Sequence, residues 1–134
     1  MTQEDKELLL KDLCARLDTN LVCSIYRTDD EGVGYRDEIL HGYCKGDIWY
    51  EFYFREDCSI GIDNVSKIKP YLFPLSSMTE EQEKEYNNLN CYELGCFPHS
   101  EEALDFLTKN HFDYRGLIEK GLAIDATGLG IYYV

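Results

Sequence analysis

The segment "NCYELGCFPHS" (90–100) gathers two thiols and an imidazole, Cys91, Cys96 and His99, and His111 follows at the spacing C-x4-C-x2-H-x11-H. Four nitrogen and sulfur donors are what tetrahedral zinc takes, and knuckle-type sites usually bring their cysteines two to four residues apart. The Cys91–Cys96 gap is at the loose end of that range. His111 has a second reading. With Leu104 and Leu107 it holds positions i+7, i and i+3 of one helical face, where a histidine packs rather than ligates. A zinc site on Cys91, Cys96, His99 and His111 therefore stands beside a reading with no cofactor at all.

Other chemistry is harder to find. Thiol catalysis needs a cysteine and a base within hydrogen-bond reach, and no local nucleophile signature surrounds any of the six cysteines. Ser76 and Ser77 read as turn and cap residues. The acid pairs Asp29/Asp30, Glu56/Asp57, Glu80/Glu81 and Glu101/Glu102 stand at turns and helix starts, where carboxylates are solvated or face the positive end of a helix dipole. Gly128-Leu129-Gly130 lacks the strand–glycine–helix setting of a phosphate loop. Arg115, in "DYRGLIEKG", reads as one half of an ion pair. No catalytic residue is assigned.

Charge is the loudest signal. The 134 residues carry a net charge of −13, and the excess is concentrated. Residues 29–63 hold ten acids against three bases, and residues 79–105 hold eight acids against Lys84 alone. Proteins that grip nucleic acid or anionic membranes place Lys and Arg on phosphates, and that surplus is missing. Direct nucleic-acid and membrane binding are therefore disfavoured. Two readings remain: the acids keep the protein soluble, or they present a phosphate-like surface to a basic protein partner. The residues placed in that second reading are Asp29, Asp30, Glu31, Asp37, Glu38, Glu80, Glu81, Glu83, Glu85, Glu101 and Glu102.

The start, MTQEDKELLL, puts acids ahead of a short leucine run, unlike a secretory signal, and no apolar run nears the ~20 residues that span a bilayer. A cytoplasmic protein with free thiols is expected, Cys14, Cys23 and Cys44 serving as small buried hydrophobes.

The elements that position these groups follow from periodicity. Leu10, Leu13, Cys14 and Leu17 keep helical spacing, so residues 1–18 are expected to hold a helix capped by Thr2 with Asp5. Residues 20–63 alternate with period two. "LVCSIYR", "YRDEILHGYC", "DIWYEFYFR" and "CSIGID" predict an antiparallel meander with a tight turn at Lys45-Gly46. Alternation puts Ile48, Tyr50, Phe52 and Phe54 on the core side of its third strand. Trp49 and Tyr53 lie on the other side, as a covered second face or a stacking platform. Residues 64–78 read as a strap stiffened by Pro70 and Pro74, its apolar side chains clamping sheet to helices. Residues 79–134 are expected to be a helical half. Its first helix opens with a Thr79/Gln82 capping box, its second starts at Ser100, and its third is capped by Asp113 and ended by Gly121.

Two blocks, "IKPYLFPLSSMTEEQ" (68–82) and "EEALDFLTKNHFDYRGLIEKGLAI" (101–124), resemble a family of small uncharacterised proteins encoded by bacteriophages and integrated mobile elements of Bacteroidales-type gut bacteria. The sheet region and "NCYELGCFPH" match that family less clearly. The resemblance implies a setting, with no activity, cofactor or catalytic residue attached. Accessory proteins of such elements are often small, acidic and directed at host proteins.

The expectation is one α+β domain: an N-terminal helix, a curved antiparallel sheet of four to five strands closing towards a small SH3-like barrel, and a helical C-terminal half. Its function is expected to be non-enzymatic binding of a basic protein. A small metal- or thiol-dependent enzyme on Cys91, Cys96, His99 and His111 is the alternative. A self-associating homo-oligomer pairing through Ile131, Tyr132 and Tyr133 is the third reading.

Overall fold

The structure, a computed structural model, describes residues 1–29, 32–45, 50–55, 58–90 and 101–132. Helix α1 (Gln3–Ala15) starts where its cap predicts: the Asp5 N–H donates to Thr2 Oγ1 at 3.1 Å, and Glu4 and Asp5 sit beside the unpaired N–H groups of the first turn. Leu9 and Leu13 are fully buried beneath it. Asp18 and Asn20 then turn the chain with left-handed backbone, which Asp and Asn tolerate better than other side chains.

Strands β1 (Val22–Asp29) and β2 (Gly32–Ile39) form a hairpin in register from Val22↔Ile39 to Asp29↔Gly32. Strands β3 (Gly42–Lys45), β4 (Tyr50–Arg55) and β5 (Cys58–Gly61) form a separate antiparallel sheet. The switch between sheets happens in one step. The Leu40 N–H donates to the Leu21 carbonyl and the His41 N–H to that of Tyr53, both at 2.8 Å. After a 3-10 turn (Ile62–Lys67) comes β6 (Ile68–Pro74), then α2 (Glu80–Asn90), α3 (Glu101–Lys109), β7 (Phe112–Asp113) and β8 (Ile124–Asp125). Strand β6 pairs antiparallel with β1 and parallel with β7 and β8, giving the order β2-β1-β6-β7 with β8 also on β6. The fold is α+β.

Three expectations are corrected. The strands of residues 20–63 divide between two sheets, and no SH3-like barrel closes. Strand β6 takes the second edge of β1, and the chain leaves the first sheet at Leu40, whose side chain is buried.

The strap is the second. The middle of residues 64–78 is β6, an interior strand in which Ile68, Pro70 and Leu72 are buried. Prolines argue against an interior strand because they cannot donate to a ladder. Here the ladder is assembled piecewise: Ile68–Pro70 face β1, Tyr71 and Leu72 face β8, and Phe73 and Pro74 face β7. The clamping role does hold. Ile68 and Leu72 join the main core, whereas Phe73 and Met78 pack with Phe106, Leu107 and Phe112 under the helices.

The third concerns "DYRGLIEKG", which forms turns rather than a helix. The Asp113 carboxylate accepts from the Leu117 and Ile118 N–H groups at 3.0 and 2.9 Å, four and five residues on, further than a helix cap reaches. Gly116 at φ +74°, three residues into the segment, takes the chain out of right-handed helical geometry. Gly121 has the left-handed backbone expected of it. The C-terminal half is thus two helices followed by turns and two-residue strands. The Lys45-Gly46 turn, Ile48 and Trp49 involve positions outside the described residues, while Phe52 and Phe54 are core as expected.

One buried ion cluster ties the ends of this arrangement together. Asp12 on α1 and Arg16, the residue that follows the helix's last, lie one turn apart, are both fully buried and pair at 2.9 Å. The other carboxylate oxygen of Asp12 accepts from Arg115 Nη1 at 2.7 Å, and Arg16 Nη2 donates to the Phe112 carbonyl at 2.6 Å. The Tyr114 ring receives both guanidinium groups, at 5.2 Å for Arg16 and 4.5 Å for Arg115. Removing one partner from such a cluster strands a buried charge, at a typical cost of roughly 3–5 kcal/mol. Asp12→Ala, which strands two guanidiniums, is expected to lose about that much in urea unfolding. Arg115→Met leaves the Asp12–Arg16 pair intact and should lose roughly 1–2 kcal/mol. Equal losses in the two variants would contradict the clamp.

Candidate functional site

The acidic positions do not behave alike. Asp29 ends β1, and Asp30 and Glu31 lie outside the described residues. Asp37 accepts a hydrogen bond from the Tyr71 hydroxyl at 2.7 Å, and Glu38 is half-buried and engaged. The β2 carboxylates are thus partly consumed by the fold. Glu80, Glu81, Glu83, Glu85, Glu101 and Glu102 are different: all are exposed, and none pairs with another described residue. Helices α2 and α3 hold them together, packing through Tyr86, Leu89 and Phe106. Counting Asp105, the two helices carry seven acids against Lys84 and Lys109. The α2 start that presents the first of them is set by its capping box: Thr79 N–H to Gln82 Oε1 at 2.9 Å and Gln82 N–H to Thr79 Oγ1 at 3.2 Å.

Of the expected zinc ligands, Cys91, Cys96 and His99 lie outside the described residues. Among the described residues no group of three or more histidine, cysteine or acidic side chains is arranged to hold a metal. Of the other thiols, Cys23 is fully buried, and burial pushes its thiol far above the ordinary range, which suits packing rather than nucleophilic work. Burial also raises the half-buried Cys14 thiol.

His111 does pack, but in an unusual way. It follows α3 with left-handed backbone, φ +63°; its N–H donates to the Thr108 carbonyl and its own carbonyl accepts from the Phe73 N–H at 2.8 Å. Helix end and β6 thereby hold its backbone from both sides. The imidazole stacks on the Tyr132 ring, with centroids 3.8 Å apart and planes 14° from parallel. Only 8% of the residue is exposed, and Nδ1 has no hydrogen-bond partner. Burial first, and the nearby Arg16 guanidinium second, push its pKa from 6.5 down to about 4, so the ring is neutral at pH 7.

Tyr132 is fixed in turn. Its hydroxyl accepts from the Val22 N–H at 2.9 Å and donates to the Tyr71 carbonyl at 2.8 Å, and burial raises its own pKa. The tail residue read as a self-association contact therefore faces inward, and Ile131 is half-buried, while Tyr133 lies outside the described residues. Beside the His111–Tyr132 stack opens a concave cavity of about 680 Å³, within the usual range for small-ligand sites. Phe73 and Phe112 form part of its wall and Lys109 part of its rim.

Comparison with known proteins returns no relative: no family model, no curated protein and no solved structure matches the chain. The geometry alone carries the assignment. Sequence reasoning missed the cavity because its lining comes from five separated stretches of chain. One signal was present: a tyrosine in an apolar tail needs a partner for its hydroxyl if it is to be buried.

The pH dependence of stability follows from His111. The unfolded chain binds a proton at this residue below pH 6.5, and the folded protein does not until about pH 4, so its contribution is intact above pH 6.5 and falls as pH drops through that window. His111→Asn keeps a side chain that tolerates left-handed backbone. Between pH 6.5 and 4 the parent protein should lose up to about 3 kcal/mol more than this variant in urea unfolding. Parallel curves for the two proteins would show that the imidazole is not held neutral.

Proposed function

We propose that the protein is a non-enzymatic accessory protein of a bacteriophage or integrated mobile element, working in the cytoplasm by binding a host protein through the acidic face of α2 and α3. The observation that carries this reading is the set of six exposed glutamates, Glu80, Glu81, Glu83, Glu85, Glu101 and Glu102, none of which forms an ion pair with another described residue, against two lysines on the same helices. The glutamates in the first turns face the positive ends of the helix dipoles, but like charges gathered on two packed helices still repel one another, and a positive partner relieves that repulsion. A basic surface, such as one that ordinarily holds nucleic acid, supplies the relief. The face then serves as a mimic of a phosphate backbone.

Each exposed charge contributes little by itself in water; the set acts by steering and by disfavouring wrong partners. Such binding weakens with salt, because the Debye length shrinks from about 10 Å at 0.1 M towards 3 Å at 1 M. The asymmetry within the chain supports one face over two. On β2, Asp37 and Glu38 are engaged by neighbours, so α2 and α3 hold the larger free set.

The test uses the tagged full chain and a variant with Gln at all six positions, against lysate of a Bacteroidales host. The parent protein should capture a basic protein whose recovery falls at least roughly tenfold, by 1.4 kcal/mol or more, both in the variant and in high salt. Capture indifferent to the six substitutions and to salt would refute this reading, and so would the absence of any basic protein bound by the parent.

A further inference from the structure

We propose that the cavity beside the His111–Tyr132 stack is a binding site for a small planar anion, an aromatic or heteroaromatic ring carrying a carboxylate or phosphate. This goes beyond the acidic face and does not depend on it.

The cavity's polarity is the first argument. The chain has 26 acidic residues, yet no Asp or Glu is among the described residues that line this space, and Lys109 is the charged side chain at its rim. A cation entering would meet no carboxylate among the described lining residues, the nearby Asp125 being engaged by the N–H and hydroxyl of Thr127. An anion would meet the Lys109 ammonium.

The hydrogen bonds already made inside the lining give the second. Thr19 Oγ1 donates to the Arg16 carbonyl at 2.6 Å, Ser77 Oγ to that of Pro74 at 2.7 Å, and Thr127 Oγ1 to the Asp125 carboxylate at 2.6 Å. Asn110 Nδ2 is committed to the Phe106 carbonyl at 2.8 Å. Gln82 uses its carbonyl on the Thr79 N–H, which leaves its amide hydrogens unspent. The side-chain donors that remain among the described lining residues are therefore Asn20 Nδ2, Gln82 Nε2, the Lys109 ammonium and the imidazole of His111. His111 is more than nine-tenths buried, and its Nδ1 has no hydrogen-bond partner among the described residues, as in a group that a ligand or water satisfies. Amide and ammonium donors beside aromatic side chains suit an oxyanion on a flat ring, with the His111 imidazole able to donate from one of its nitrogens.

The surroundings give the third. Phe73 lies 6.2 Å from Phe112 and 5.8 Å from Tyr132, so three aromatic rings form one continuous wall. Behind that wall, the Asp12 cluster has two guanidiniums to one carboxylate, and Arg16 Nη1 has no partner. The surplus positive charge sits close enough to act on His111. A field from buried groups is poorly screened by salt and favours negative charge on that side.

The experiment is NMR titration of the full chain, labelled on histidine, with four probes: benzoate, phenyl phosphate, benzyl alcohol and benzylamine. At least one of the two anions should shift the His111 ring resonances with a dissociation constant of about 1 mM, as fits a ligand of this size, and their relative strength tells carboxylate from phosphate. The alcohol should bind at least roughly tenfold more weakly and benzylamine more weakly still. Lys109→Ala, at an exposed position, should weaken the anion roughly fivefold and leave the alcohol unchanged. Benzylamine binding as well as benzoate, or Lys109→Ala affecting both anion and alcohol equally, would overturn the proposal. So would His111 resonances that no probe moves at about 20 mM, which would mean that buried water alone fills the space.

Discussion

A single carboxylate held between two arginines organises this molecule. Asp12 is a residue of α1, Arg16 lies one turn on, and Arg115 comes from the turns after α3. All three lose hydration when the chain closes, and the loss is tolerable only if every partner arrives together. Formation of α1 is thereby made conditional on docking of the C-terminal turns. Arg16 extends the same constraint to the Phe112 carbonyl, next to His111, and Phe73 donates to the carbonyl of His111 itself. Helix, interior strand and tail thus share one anchorage.

Much of the local structure was legible because short-range rules governed it. Thr2 and the Thr79/Gln82 box capped the helices they announced, Gly121 took the left-handed turn, and Phe52 and Phe54 alternated into the core. The partition into two sheets was not legible. It depends on the edge of β1 being claimed by β6, a segment more than 40 residues later, and no period within residues 20–63 encodes that. Pro70 and Pro74 disguised β6 for a sound reason, since a proline forfeits a donor. The disguise works only against a fully laddered strand, and β6 exchanges neighbours along its length. Gly116 defeated the expected third helix: the Asp113 carboxylate engages the Leu117 and Ile118 N–H groups, but one left-handed residue between them turns the chain out of helical geometry.

The candidate sites were legible to different degrees for the same physical reason. Unpaired glutamates on α2 and α3 could be read from composition, because exposed charge is a property of local sequence. The partners of Asp37 and Glu38 could not, because they are supplied by folding. His111 was correctly suspected of packing, yet its face of Leu104 and Leu107 gave no hint of the Tyr132 ring, which arrives from the tail. A histidine one residue beyond a helix end, with left-handed backbone, no longer belongs to the face that its spacing suggests.

Charge in this protein is segregated by depth. The chain is strongly negative in sum, while the buried Asp12 cluster is positive by one unit. Burying an unbalanced guanidinium ordinarily costs several kcal/mol, and three features lower that cost: the Phe112 carbonyl, the face of the Tyr114 ring, and the long-range field of a molecule whose surface is acidic. The third links surface to interior. Each carboxylate on α2 or α3 raises self-repulsion outside, and together they make a positive interior more tolerable. Burial first, and the positive interior second, keep His111 neutral.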